Sequence, residues 1–526
     1  MVPDICLRTW QTGDKTCGYP ELEYFETKPR TAICFSGGST RAYVAALGQL
    51  RGLTELGLIS KVDYISSVSG SAWLTVPYTY YQKNNGLEDQ DLLGNQLKPR
   101  LLTLEYLSGR QVGTFALPPT QDFFRVLQAA HIDSRIPENE VWTHAVGKTF
   151  LKPYGLFDEH LRVGFTWNRL SEHDFYQRNP WLEKRLIHCV SQDRTRPYLL
   201  VHATLNMEES SDTENGSVHR VGFEFSPLAS GSPEMLTFSN QKSVPSRVGG
   251  GFVENFGIGS AAPSMRPGER GVVKVSCPER VLTLADVTGA SSAFSAKERD
   301  SSHYPSLTYW PVSGESNEVA STVRLSDGGD IENYGVIPVL RRKIVSIVVF
   351  INTMWPLSLD KFSEIWFEED NDKQRHVDPF LAPLFGLGDS RFSQNHVFLQ
   401  EDFEPLIHDF QDAKRAGCPL VSRRRHRVVH NQWWGVSGGW TAQVCWVYND
   451  SVSAWVNELS SDVRAIVGAG RQAVPSGPVQ YFPHYKTRGQ NPGALIRLTP
   501  VQVNLLSHFT CWVVLESSTD LKAVLS

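Results

Sequence analysis

The stretch from Thr31 to Trp73 constrains the fold of this chain more than any other. A short apolar run, Ala32-Ile33-Cys34-Phe35, stops at Ser36-Gly37-Gly38-Ser39-Thr40-Arg41, and apolar residues then recur at Val44, Leu47, Leu50, Leu53 and Leu56. A continuous apolar run reads as a buried strand, and a spacing of three to four as a helix face, so the order is strand, glycine turn, helix. A second apolar run, Val62 to Val68, meets Ser69-Gly70-Ser71 and another helix-like segment, in which Pro77 is expected to cause a kink. The doubled unit is the pattern of a βαβ crossover in a parallel sheet. Two strand-to-turn junctions this close in sequence can bring backbone N–H groups to one hydroxyl.

The rest of the 526 residues is read as one large α/β core with insertions. Residues 1–30 lack periodicity and are expected to be an irregular lead-in. From 86 to 195 the apolar clusters Leu101-Leu102, Phe123-Phe124 and Val141-Trp142 are divided by Pro118-Pro119, Pro137 and Pro153, which predicts a helical insertion over the sheet. Tyr198 to Ala203 and Val345 to Ile351 read as strands buried on both faces. Two glycine-dense stretches, Gly249 to Gly259 and Thr288 to Ser295, read as close-packed turns, and 206–220 and 368–374 as exposed loops. Residues 355–475 form a variable region. Thr499-Pro500 is a helix start, an N-cap followed by proline at the first helical position, and the helix it opens is expected to pack back on the core.

Composition excludes several classes. A formal net charge of -5 with 20% charged residues argues against a polyanion, so no nucleic-acid partner is expected. Eight cysteines are scattered without a Cys-x-x-Cys pair, which disfavours a disulfide framework or a structural zinc site and suits a cytoplasmic location. There is no signal-peptide pattern after Met1 and no run of 18 apolar residues, so a soluble protein is expected. Glu368-Glu369-Asp370-Asn371-Asp372 lacks the glycine and terminal glutamate of an EF-hand and reads as a solvated loop, and no metal or cofactor is expected. Arg423-Arg424-Arg425-His426-Arg427, near Trp433, Trp434 and Trp440, reads as an exposed strand edge beside core tryptophans, with peripheral membrane contact as the functional alternative.

Two junctions carry the candidate chemistry. Ser69 stands on a strand-to-helix turn that would expose its hydroxyl, as a nucleophile elbow does, although serines replace both outer glycines of the Gly-x-Ser-x-Gly form; a turn or N-cap role is the alternative. Gly37 and Gly38 allow close backbone approach and present N–H groups at a helix start, where either a phosphate or an acyl oxyanion could sit. A Walker loop is excluded, since no Gly-Lys-Ser/Thr follows, and the continuation Ser39-Thr40-Arg41 does not suit an ATP-pyrophosphatase loop.

These residues resemble the cytosolic phospholipase A2 (group IV) and patatin-like lipase family. Ser36-Gly37-Gly38-Ser39-Thr40-Arg41-Ala42 is similar to its oxyanion loop, Ser67-Val68-Ser69-Gly70-Ser71-Ala72-Trp73 to its nucleophile motif, and Asp327-Gly328-Gly329 to its aspartate motif. Further resemblance lies in Phe223-Glu224-Phe225-Ser226-Pro227, Gly250 to Phe256, Leu284-Ala285-Asp286 with Gly289-Ala290-Ser291-Ser292, and Phe482-Pro483-His484-Tyr485. It covers roughly 31–85, 196–350 and 478–515. Ser39 replaces the third loop glycine, and Ser67 the glycine before the nucleophile.

The resemblance implies a central, mostly parallel sheet flanked by helices, with residues 31–526 as a single catalytic domain and the insertion as a lid. It implies a serine esterase acting on glycerophospholipids or lysophospholipids through a Ser69-Asp327 dyad without histidine. Gly37 and Gly38 would bind the oxyanion, and Arg41 would steady the loop or meet the lipid phosphate. Asn333 would hold the turn after Asp327, and His484 would line the site. A lipid acyltransferase with the same dyad and a non-catalytic lipid-binding protein are the alternatives. Relatives usually carry a calcium-dependent membrane-binding domain before the catalytic one; with about thirty residues ahead of the loop, calcium dependence is not expected. Of the 15 histidines none stands out as a triad base, and His202, in an apolar strand, reads as a satisfied core residue. Asp286 reads as structural, and Asp330 is expected to point elsewhere if Asp327 faces Ser69.

Overall fold

The apolar runs of the sequence assemble into the middle of one large sheet. The structure, a computed structural model, describes the chain except for residues 1–2, 13–17, 83–85, 110–112, 184, 191–194, 209–217, 240–244, 264–270, 295–304, 313–318, 361–376, 389, 471–475 and 486–495. In chain order the strands are β1 (Asp4–Gln11), β2 (Thr31–Phe35), β3 (Tyr64–Val68), β4 (Gly164–Thr166), β5 (Ile187–Cys189), β6 (Tyr198–Glu208), β7 (Val218–Phe225) and β8 (Ala229–Ser239). They continue as β9 (Pro245–Glu254), β10 (Val272–Ser276), β11 (Ser306–Tyr309), β12 (Ser321–Asp327), β13 (Ser346–Ile351), β14 (Leu420–Val428) and β15 (Trp440–Tyr448).

The main sheet runs β10-β1-β9-β8-β7-β6-β3-β2-β13-β15-β14. Its centre, β15-β13-β2-β3-β6, is parallel, whereas β7, β8, β9, β1 and β10 on one side and β14 on the other join antiparallel. The fold is thus α/β with a mixed sheet. The expectation of a mostly parallel one holds for the five central strands alone, because β6 to β9 run on without crossover helices.

Helix α1 (Ser39–Glu55) follows β2, and α2 (Ala72–Tyr80) follows β3. Both faces of β2 are covered: Ile33 and Phe35 pack with α1 residues, Ala32 and Cys34 with a second cluster on the opposite face, which explains the unbroken apolar run. Among the described residues of 86–195 lie the short helices α3 (Asp89–Leu93), α4 (Leu104–Ser108), α5 (Phe123–Ile132), α6 (Val141–Val146) and α7 (Arg169–Arg178), with β4 and β5 as a two-stranded sheet. Then come α8 (Leu284–Ser291), α9 (Val336–Arg341), α10 (Phe403–Ala416), α11 (Ser453–Glu458), α12 (Ser461–Gly470), α13 (Pro500–Glu516) and α14 (Ser518–Leu525). Thr499 caps α13 as its sequence indicates, accepting the Gln502 N–H. α13 lies against α1, with the Thr510 hydroxyl donating to Ala45 O at 3.0 Å.

Four sequence expectations are corrected. Residues 1–30 are not an irregular lead-in: β1 occupies Asp4–Gln11, and its buried Ile5, Leu7 and Thr9 show a period-two signal masked by the polar residues between them. Gly249 to Gly251 are not a turn but the interior of β9, all at positive φ, opposite a register shift in β8. Thr288 to Ser291 form the end of α8, whose N-cap is Thr283. The 206–220 loop is shortened from both ends, since Asn206 to Glu208 extend β6 and Val218 to Arg220 begin β7.

The Arg423–Arg427 run forms β14, an edge of the sheet, with Arg423, Arg425 and Arg427 exposed and His426 and Trp434 buried. The acidic run 368–372 lies outside the described residues. Among the described residues no helix is long and apolar enough to cross a membrane, and the described cysteines are free.

Candidate active site

Strand pairing along β6 brings the nucleophile candidate to the candidate base. β7 occupies one edge of β6. On the other edge β3 runs parallel to Tyr198–His202, with Val68 opposite His202, and β12 runs antiparallel to Ala203–Asn206, with Asp327 opposite Ala203. Two strands far apart in the chain therefore end head to head at adjacent rungs. Ser69 Oγ donates to Asp327 Oδ2 at 2.7 Å. The other carboxylate oxygen accepts the Gly329 N–H at 2.8 Å, and the Thr204 hydroxyl holds Asp327 O at 2.8 Å, so the aspartate is oriented at both ends.

Ser69 itself has φ 56, a left-handed conformation that a non-glycine residue adopts at a cost of about 1–3 kcal/mol. Ser71 supports the bend: its hydroxyl lies 2.9 Å from Phe35 O and 2.8 Å from Val68 O and accepts the Val68 N–H. Ser67, which stands in place of the usual elbow glycine, faces α2 and accepts the Thr75 hydroxyl at 2.8 Å. A side chain is tolerated there because it has a buried polar partner. Gly70 has no such latitude, since a Cβ would lie 2.0 Å from Ser39 O.

The glycine loop sits against this elbow. A Cβ on Gly37 would lie 3.0 Å from Ser69 Cβ and 2.4 Å from Asn333 Oδ1. The Gly37 N–H is already used, donating to Asn333 O at 2.9 Å, so its expected role as an oxyanion donor is not available in this arrangement. Gly38, at φ 139, donates its N–H to no acceptor among the described residues. Ser39 takes the left-handed conformation, φ 55, that the third glycine of the motif would adopt freely.

Arg41 is buried and turned inward. Its Nε donates to Asn352 O at 3.0 Å and one terminal nitrogen to His484 O and Tyr485 O at 3.4 and 3.2 Å. These bonds tie the start of α1 to the segments that carry Asn352, His484 and Tyr485. Asn333 lies between the loop and the aspartate turn, as expected, its amide oxygen close to both Gly37 and Gly329.

The remaining titratable groups separate cleanly from this pair. Asp286 is structural: it caps α8 and pairs with Arg162 and Arg280 at 2.5 Å each. Asp330 accepts the Ser326 hydroxyl. His484 Nε2 lies 3.2 Å from Asp450 Oδ1, whose carboxyl, despite burial, His484 and Lys414 hold down at about 2. His202 is buried as expected but is not satisfied: neither ring nitrogen has a hydrogen-bond partner among the described residues, and burial, aided by Arg341, pushes its pKa down to about 3. Its ring packs against Trp434, 5.7 Å between centroids. Glu332, within the same turn as Asp327, is raised to about 7 by burial, although the N–H groups opening α9 oppose this.

Sequence reasoning did not assign Ser71, Thr75 or Thr204. Thr75 and Thr204 lie inside a buried helix and a buried strand with nothing in the local sequence to single them out, and the spacing of Ser71 after Ser69 is the single local hint.

Fold and site define an α/β protein with a serine held on a strained strand end against an aspartate, and no histidine between them. No family model matches the chain. It is 44% identical over 59 residues to mouse cytosolic phospholipase A2 zeta, a match covering 11% of this chain and 7% of that protein. With mouse cytosolic phospholipase A2 gamma the identity is 44% over 63 residues, 12% of this chain and 11% of the relative. The matches thus span a small part of each relative's length. Among solved structures, human GIVD cytosolic phospholipase A2 aligns with a TM-score of 0.43 and 14% identity, covering 95% of this chain and 60% of that one. The same human protein in complex with methyl gamma-linolenyl fluorophosphonate gives 0.39 and 14%, covering 95% and 59%. The chain is cytosolic phospholipase A2-like in its matched segments.

Proposed function

We propose that this chain is a serine esterase that cleaves fatty-acyl esters of glycerophospholipids or lysophospholipids. The observation that carries the reading is the 2.7 Å hydrogen bond from Ser69 Oγ to Asp327 Oδ2; the local identity to cytosolic phospholipases A2 supports the substrate class.

In this mechanism Asp327 takes the Ser69 proton as Oγ bonds to the acyl carbon. The oxyanion that forms is stabilised by the uncommitted Gly38 N–H, and one such donor contributes about 3 kcal/mol in well-studied hydrolases. Collapse breaks the acyl–oxygen bond, and the departing alcohol takes the proton from Asp327. Water, deprotonated by the same carboxylate, then attacks the acyl-enzyme, releasing the fatty acid and restoring Ser69. The segment 86–195 acts as a lid, with Phe123 and Phe150 stacked on Trp73 beside the elbow. The Ser69→Ala and Asp327→Asn proteins test the reading. Both are expected to lose release of radiolabelled fatty acid from phosphatidylcholine and lysophosphatidylcholine, by about 10²-fold or more, and Ser69→Ala to lose covalent labelling by a fluorophosphonate. Labelling at another serine, or Asp327→Asn at wild-type rate, would sink it.

Peripheral membrane contact is part of the same proposal, through the exposed Arg423, Arg425 and Arg427 of β14. Replacing the three with glutamine is expected to weaken co-sedimentation with vesicles of anionic phospholipid, and unchanged binding would remove that part.

A further inference from the structure

The gap on β6 where β3 ends and β12 begins is spanned by a side chain to which no role has been attached. Ser291, in the last turn of α8, accepts the Ser69 N–H at 2.9 Å and donates its own proton to His202 O at 2.6 Å. It is fully buried. His202 is the last residue of β6 paired with β3, so one hydroxyl joins the final rung of that ladder to the peptide of the nucleophile candidate.

The chemistry suits a hydroxyl and little else. At φ 56 the Ser69 N–H has turned out of the strand direction, and a buried donor needs an acceptor. The group that supplies it must also satisfy the adjacent carbonyl, so it must accept and donate at once, as a serine or threonine can. The turn carrying Ser291 is itself fixed. Its neighbour Ser292 donates to Thr288 O at 2.9 Å and accepts the indole N–H groups of Trp73 at 2.8 Å and Trp142 at 3.3 Å. Trp73 lies on α2, directly after the elbow, and Trp142 on α6 of the inserted segment. The last turn of α8 is thus anchored to the element it positions.

We infer that Ser291 is a positioning residue, holding the Ser69 peptide in the left-handed conformation that aims Oγ at Asp327. It does not touch the reacting atoms. Its contribution is confined to the geometry of the nucleophile, so its loss slows acylation without weakening the binding of an acyl-mimicking probe. The inference rests on Ser69 being the nucleophile.

The test is the kinetics of covalent inactivation by an alkyl fluorophosphonate, followed in the wild type, Ser291→Ala and Ser291→Thr, with thermal unfolding of each. Ser291→Ala is expected to fold and to lose about tenfold or more in the maximal inactivation rate, the order of effect that a small misplacement of a reacting group produces. The half-saturating probe concentration should stay within about twofold, and Ser291→Thr, which keeps the hydroxyl, should recover most of the rate. A folded Ser291→Ala protein that is labelled at the wild-type rate overturns the inference. So does a Ser291→Ala protein already unfolded at the assay temperature, or a rate loss matched by an equal rise in half-saturating concentration, because each marks a structural residue. If the wild type is not labelled at Ser69, the proposed esterase itself fails, and that result differs from all of these.

Discussion

At the scale of single residues, the site depends on what each backbone N–H already does. Gly37 and Gly38 are equivalent in the sequence motif, yet the first donates to Asn333 O and the second to nothing among the described residues. Gly38→Ala places a Cβ at φ 139 and 2.4 Å from the Arg41 guanidinium, so both the free N–H and the loop's internal cation are displaced. Phosphonylation by a fluorophosphonate is expected to fall by about 10²- to 10³-fold in the folded variant, comparable to removing an oxyanion donor, and the strained alanine to lower the denaturant midpoint; a wild-type rate would exclude Gly38 as that donor. That Ser69 and Asp327 meet, 2.7 Å apart, was legible because short glycine-flanked motifs survive as local signals. Which glycine amide is free was not, since it is set by Asn333, hundreds of residues away. Arg41 shows the same limit: an arginine after a glycine loop suggests an anion, and only the fold reveals that carbonyls of Asn352, His484 and Tyr485 surround it.

At the scale of elements, α1 and α13 approach unusually closely. A Cβ on Gly48 would lie 2.1 Å from Ser507 O, and one on Gly52 2.7 Å from Val514 Cγ1, so the two glycines form the groove into which α13 settles. Gly48→Val forces the helices apart and is expected to destabilise the protein by about 1–3 kcal/mol, the cost of overpacking, measured as a lower denaturant midpoint; an unchanged midpoint would mean that the helices slide without penalty. The α13 start was legible from Thr499-Pro500, and β2, β3 and β13 from apolar runs covered on both faces. The antiparallel half was harder. β1 and β9 are marked by polar alternation and glycines, whose local preferences point to loop, and tertiary pairing overrides them. The resembling segments find their reason here too. Asn255 donates to Ser226 O and Pro227 O at 2.9 Å each, clasping the turn between β7 and β8, and Glu224 is buried between Arg341 and Arg342, tying β7 to α9.

At the scale of the whole molecule, buried ionisable groups set how stability varies with pH. Burial raises Glu332 and Glu234 to about 7, each from an ordinary value of 4.5. Their folded forms bind protons that the unfolded chain has released, so their contribution falls as pH rises from about 4.5 through about 7. His202 works in the other direction: its folded pKa of about 3 lies below the ordinary 6.5, so its stabilising contribution is lost as pH falls from 6.5 towards 3. The Glu332→Gln, Glu234→Gln double variant is therefore expected to show a flatter decline in urea-unfolding free energy between mildly acidic and neutral pH than the wild type. Parallel curves would contradict the assignment. None of these groups was legible as perturbed, because a lone glutamate in a polar motif carries no sign of its burial. The head-to-head meeting of β3 and β12 on β6 has a consequence in time as well as in space. Ribosomal synthesis delivers Asp327 258 residues after Ser69, so under the proposed mechanism the serine has no base until β12 docks. With Ser69 as the proposed nucleophile, its covalent labelling would then serve as a built-in signal that the sheet has closed around it.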